Sequence, residues 1–218
     1  MDELFFPVLR RQKLELYRNR NGEYYADYKS NYKKVSEDCL KRCVYCDATE
    51  RECGGDRFSL DHFRPRKIFA DKFDGVLLTH PFNLYLSCQK CNVLKSSDWH
   101  GCQDTIDGYT YRDKRGYIDR FSTVPSEYLS VDSEGNIQAL KADGPVEYMI
   151  KKLHLNRPNR AYLRMKRIIN QRVKLLVAEL NDLGDDVEKK YNSGVISAEE
   201  SIERIKSIRE IQKKLYEL

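Results

Sequence analysis

The sequence predicts an α+β fold in which mostly helical flanks surround a metal-stabilised segment of short strands and loops. Two Cys-x-x-Cys pairs, Cys43–Cys46 and Cys88–Cys91, bracket residues 47–87, a gap of 41 residues. Helical periodicity is poor from about residue 43 to 120 and strong from residue 145 onward. Three regions follow from this: a helical N-terminal segment over 1–42, a zinc-stabilised domain over 43–120, and a hairpin with a helical C-terminal region over 121–218.

The first region is rich in tyrosine (Tyr17, Tyr24, Tyr25, Tyr28, Tyr32) and is expected to break at Asn21–Gly22. Residues 126–140, SEYLSVDSEGNIQAL, read as a hairpin, because two β-leaning runs flank a loop, Asp132–Asn136, that contains glycine. PVEYMIKKLHL (145–155) has helical spacing behind Pro145, a favoured first-turn residue, and Asn156-Arg157-Pro158 interrupts it. Leu163, Ile168, Ile169, Val173, Leu176 and Leu180 then predict one long amphipathic helix, with Gly184 expected to end it. Ser197 with Glu200 three residues later forms a capping box that opens a final helix carrying Ile202, Ile205, Ile208, Ile211 and Leu215.

Composition narrows the function classes. The chain has 218 residues, 40% hydrophobic and 33% charged, with a net charge of +5. This is the make-up of a globular protein, and the mild basic excess permits a nucleic-acid partner without requiring one. No run of about 18 apolar residues occurs, so no membrane span is expected. The acidic start MDELFF lacks the features of a secretory signal, which predicts a cytoplasmic protein with reduced thiols.

Seven cysteines are present, an odd number that argues against a disulfide framework. Two thiolates spaced Cys-x-x-Cys can grip one ion from a tight turn, and a second such turn completes a tetrahedron. Cys43, Cys46, Cys88 and Cys91 are therefore expected to bind structural Zn2+. Binding of this kind contributes on the order of 10 kcal/mol to folding, which suits a loop-rich segment with little core. Rubredoxin-like iron is the lesser alternative. Cys39, Cys53 and Cys102 are expected to pack as small apolar groups. A zinc ribbon usually separates its pairs by about 15–20 residues, so the longer gap here holds an insertion.

That insertion carries Asp61-His62-Phe-Arg-Pro65 and then His80-Pro-Phe-Asn83-Leu, and the second cysteine pair runs into Asn92 and Lys95. Read alone, Asp61–His62 would be a surface pair or a helix cap. The ordered series C-x-x-C, D-H-x-x-P, N-L, C-x-x-C-N-x-x-K resembles the HNH endonucleases with a four-cysteine zinc scaffold, over roughly residues 43–100. The resemblance implies a treble-clef-like ββα-metal finger and metal-dependent hydrolysis of phosphodiester bonds, with DNA favoured and tRNA or other RNA as alternatives. It assigns His62 as the general base, Asp61 and Asn92 as ligands of a catalytic Mg2+ or Mn2+, and Asn83 as the residue that orients the loop. Asn92 stands where many relatives have a second histidine. Elementary chemistry agrees with these roles: a neutral histidine can activate water near neutral pH, and magnesium is held by one or two oxygen ligands.

Arg64, Arg66, Lys67 and Lys95 are expected to contact phosphate. From Tyr148 to Ala178 no acid occurs among nine bases, which reads as a solvated helix face or as a nucleic-acid platform. His80 is ambiguous, and His100 and His154 read as structural. The chain also resembles, more loosely, the HNH nuclease subunit of Septu and retron anti-phage defence systems, through D-H-F-R-P, N-L-Y and L-H-L-N-R-P (Leu153–Pro158). That likeness implies an antiviral role and an ABC- or SMC-type ATPase partner. The competing reading is a zinc module that binds nucleic acid or protein without cutting.

Overall fold

A computed structural model of the chain describes residues 4–18 and 28–216. The expected break at Asn21–Gly22, with Tyr24 and Tyr25, lies outside them. Helices combine with small two-stranded antiparallel sheets, an α+β arrangement. In chain order the elements are α1 (Tyr28–Asp38), β1 (Ser59–His62), α2 (Arg66–Phe69), β2 (Leu84–Ser87), α3 (Gln89–Lys95), β3 (Tyr111–Arg112), β4 (Arg115–Gly116), β5 (Leu129–Val131), β6 (Ile137–Ala139), α4 (Val146–Leu153), α5 (Pro158–Asn192) and α6 (Ala198–Tyr216). The chain divides into two compact units, Met1–Met165 and Lys166–Leu218. Among the described residues, no helix is long and apolar enough to cross a membrane.

The first unit is built around β1, β2 and α3. The strands pair antiparallel with Asp61 opposite Tyr85 and His62 opposite Leu84. Every residue of β2 is buried, and α3 follows at once, with Cys88 in extended conformation at its N-cap. The core gathers around aromatic rings. Phe63 stacks on Tyr85 at 4.5 Å, and Trp99 meets Phe63 and Phe69 edge-on at 5.4 and 5.9 Å. Offset and edge-on geometries are the ones ring quadrupoles favour.

Residues 7–13 carry no helix, although 1–42 reads as mostly helical from its sequence. Side-chain demands explain the difference. Phe6 and Leu9 are buried, and the Arg11 guanidinium donates to the Phe82 and Leu84 carbonyls at 3.1 and 3.0 Å while lying 3.6 Å from the Phe121 ring. An extended strap lets these residues reach their partners where a helix would turn half of them outward.

The expected hairpin forms as β5 and β6, and Asp132 shapes its loop by accepting from the Glu134 and Asn136 N–H groups at 3.0 and 2.8 Å. Gly135 is required there. Its φ is +81°, and an added Cβ would lie 2.1 Å from the Ala161 carbonyl oxygen. α4 buries Val146, Met149 and Leu153 and closes at His154 in the left-handed region.

In the second unit, α5 does not stop at Gly184 but continues to Asn192. The stop is at Gly194, with φ +73°, where the Val195 N–H reaches the Lys190 carbonyl and the Gly194 N–H reaches Tyr191, at 2.9 Å each. This is the Schellman closure that a left-handed glycine permits. Half of the Ser197 capping box is present: the Glu200 N–H donates to Ser197 Oγ at 3.1 Å. The Glu200 carboxylate turns instead to Arg204 at 2.5 Å.

Candidate metal centre and adjoining acid–histidine site

Cys43, Cys46, Cys88 and Cys91 are all buried, and their sulfur atoms lie within 4.8 Å of one another. Such a cluster could hold a metal ion such as zinc. The fit can be checked by geometry. At a zinc–sulfur distance of about 2.3 Å, the edge of a tetrahedron is about 3.8 Å. Cys46 Sγ and Cys88 Sγ stand 3.7 Å apart. Local backbone makes the grip. Asp47 takes φ +63°, the Asp47 N–H returns to the Cys43 carbonyl at 2.8 Å, and the Val44 N–H ties the turn to Leu86 of β2 at 3.0 Å. The second pair sits on the N-terminal turn of α3.

Four thiolates around one divalent ion leave a net negative charge in a buried place, and nearby cations offset it. Arg157 approaches Cys88 Sγ at 3.9 Å, and Arg160 donates to Cys53 Sγ at 2.8 Å. Arg164 is buried and donates to the carbonyls of Gly135, Leu155 and Cys46 at 2.6, 2.8 and 3.4 Å. Three members of the basic stripe therefore face inward, a finding that differs from both sequence readings of that stripe. The signal was the run of bases without a compensating acid. Cys53 also departs from expectation: it contacts Cys88, whose thiol is held well below its ordinary value by hydrogen bonds from Cys43, Cys46 and Cys53.

Tyr45 links this centre to the second site. It lies inside the first cysteine pair, and its hydroxyl donates to Asp61 Oδ2 at 2.5 Å. The same oxygen pairs with Lys95 Nζ at 3.0 Å, and Lys95 also donates to the His62 carbonyl at 3.0 Å. Both Asp61 and Lys95 are buried. The Tyr45 hydroxyl is pushed well above its usual pKa, first by burial and then by the Asp61 charge, so it remains a donor.

His62 neighbours Asp61 and is half-buried. Its Nε2 lies 2.8 Å from the Leu78 carbonyl. A carbonyl only accepts, so Nε2 carries the proton and the neutral ring has its lone pair on Nδ1. Burial lowers the His62 pKa, with Arg66 and Lys95 acting in the same direction against Leu78 and Asp61. The loop that presents Leu78 is fixed by Asn83, which is buried. Its Oδ1 accepts from the Arg64 N–H at 2.8 Å, and its Nδ2 donates to the Leu77 and Arg64 carbonyls at 2.8 and 3.1 Å.

The remaining candidates separate into two groups. Arg64 and Lys95 point inside. The Arg64 guanidinium donates to the Cys102 and Gly108 carbonyls at 3.2 and 2.7 Å and lies over Trp99, so it supports the fold instead of facing solvent. Arg66 and Lys67 are exposed at the start of α2. Asn92 is half-buried on α3, one turn before Lys95, with its backbone N–H donating to the Cys88 carbonyl at 3.0 Å. Asp61 and Asn92 are hard oxygen donors of the kind magnesium accepts. His100 is held by Tyr148 at 3.0 Å and Asp98 at 3.3 Å.

A cavity of about 680 Å3 opens beside Asn83, bounded also by Phe63, Tyr85, Tyr109 and Asp119. Its cationic wall residue, Arg64, is already engaged with the Cys102 and Gly108 carbonyls, and burial lowers the pKa of His80 there. No family model, curated protein or solved structure matches this chain.

Proposed function

We propose that the chain is a metal-dependent nuclease of the HNH kind, which hydrolyses phosphodiester bonds in nucleic acid, DNA being the favoured substrate. The observation that carries this reading is the Nε2–Leu78 bond of His62, which puts the lone pair of the neutral ring on Nδ1. In the proposed reaction, Nδ1 takes a proton from water as the water oxygen bonds to phosphorus, and the bond from phosphorus to the leaving sugar oxygen breaks. The oxygens of Asp61 and Asn92 would hold a divalent ion such as Mg2+ or Mn2+, which supplies positive charge at the departing oxygen. Lys95 and Tyr45 fix Asp61, and Asn83 fixes the loop against which His62 is braced. Arg66 and Lys67 are the exposed cations available to the sugar–phosphate backbone.

The test is incubation of the purified protein with plasmid DNA, single strands and tRNA, with and without Mg2+, for wild type and His62→Ala. Metal-dependent cutting by wild type alone, with zinc content unchanged in the variant, is expected. Cutting by His62→Ala would remove the base assignment. The likeness to defence nucleases makes an ABC- or SMC-type ATPase the partner to seek in a pull-down.

A further inference from the structure

The second unit presents one helix face that carries apolar side chains and has a charge pattern of its own. From residue 169, apolar residues of α5 follow alternating steps of four and three: Ile169, Val173, Leu176, Leu180, Leu183 and Val187. This is a heptad seam with Val173, Leu180 and Val187 at a, and Ile169, Leu176 and Leu183 at d. α6 lies on the a and e side. Leu180, Gly184 and Tyr191 of α5 share a groove with Ser201, Ile205 and Ile208 of α6, and Gln212 donates to Asn181 at 2.8 Å. Leu180 and Val187 are buried.

The d side is left open. Ile169, Leu176 and Leu183 are exposed by 41%, 45% and 54%, and Leu175 on the same flank by 54%. Beside d run the g positions Arg172, Glu179 and Asp186. Charge reverses along this face. Arg172 stands in its first half, and Glu179, Asp182 and Asp186 in its second, all exposed, with Asp186 paired to Lys190 at 2.6 Å. A face with a base one turn before Leu176 and an acid one turn after it is complementary to itself when reversed about that residue.

We infer that two copies of this chain pair antiparallel along the d and g face of α5, with a two-fold axis near Leu176. In that register Leu176 meets its own counterpart and Ile169 meets Leu183 of the second copy. Arg172 reaches Glu179 across the axis, twice by symmetry, because g faces g in an antiparallel pair. A parallel arrangement would set base against base and acid against acid over the same length. An isologous contact of this kind closes on itself and does not propagate.

Sedimentation equilibrium of the full chain at micromolar concentration tests the pairing. Twice the 25.7 kDa chain mass is expected. Leu176→Arg is expected to sediment as a monomer with its helical circular dichroism retained. Arg172→Glu should weaken dimerisation on the order of tenfold or more by opposing Glu179. The double change Arg172→Glu with Glu179→Arg should restore it. A monomeric wild type would overturn the inference, and so would a dimer indifferent to Leu176→Arg. Failure of the double change to restore pairing would overturn the antiparallel register.

Discussion

At the scale of single residues, the proposed reaction rests on His62 and Asn83. Burial holds the His62 pKa below the ordinary value of about 6.5. A cation at Asp61 would move it further the same way. As a base His62 works when neutral, so the acid limb of the cleavage profile is expected to lie below pH 6.5, and a limb above that value would contradict its role. Stability follows the same sign. Below the unfolded value the unfolded chain binds a proton that the folded site resists, so this residue's contribution falls as pH drops through about 6.5. Asn83 allows a separate measurement. Its amide satisfies one N–H and two carbonyls in a buried loop. Asn83→Ala leaves them without partners and should cost roughly 2–4 kcal/mol in urea unfolding with zinc present. Asn83→Asp should not rescue it, because a carboxylate cannot donate to the two carbonyls.

At the scale of elements, α5 poses a conflict between local propensity and packing. Glycine in a helix interior costs about 1 kcal/mol relative to alanine, which is why Gly184 reads as a stop. The helix passes through it because apolar residues on both sides keep the seam with α6. A Cβ at Gly184 would meet nothing within 4 Å, and its φ is not positive. Gly184→Ala should therefore stabilise the α5–α6 unit by about 0.5–1 kcal/mol, read as a shift in its thermal transition. A loss of stability there would mean that a neighbouring side chain occupies the space beside position 184. Legibility follows the same division. The cysteine pairs, the Asp132–Asn136 turn and the Ser197 cap were readable because spacing and local chemistry determine them. The strap at residues 7–13 was not, because Arg11 is committed to carbonyls more than 70 positions away. Lys95 and Arg64 looked like surface cations because sequence shows charge but not the buried acceptors, Asp61 and the Cys102 and Gly108 carbonyls, that draw them inward.

For the molecule as a whole, the two units draw on different sources of stability, and metal removal should separate them. The first unit joins its cysteine turns to β1, β2 and α3, and Tyr45 passes the position of the first turn directly to Asp61. With the metal gone, four buried thiols and the guanidinium groups of Arg157, Arg160 and Arg164 lose the charge balance around which they are arranged. Zinc at such a site contributes on the order of 10 kcal/mol, comparable with the whole stability of a domain, so the first unit should open. Its single tryptophan, Trp99, is buried against Phe63, Phe69 and Arg64 and reports on this unit alone. The α5–α6 unit has its own apolar seam and no cysteine. Stripping zinc with a chelator should shift Trp99 emission to the red while much of the far-ultraviolet helical signal persists, and Cys88→Ser should do the same without chelator. Unchanged Trp99 emission in a chain shown by elemental analysis to be free of metal would mean that side-chain packing suffices without the ion. Complete loss of helix together with the emission shift would mean that the second unit depends on the first.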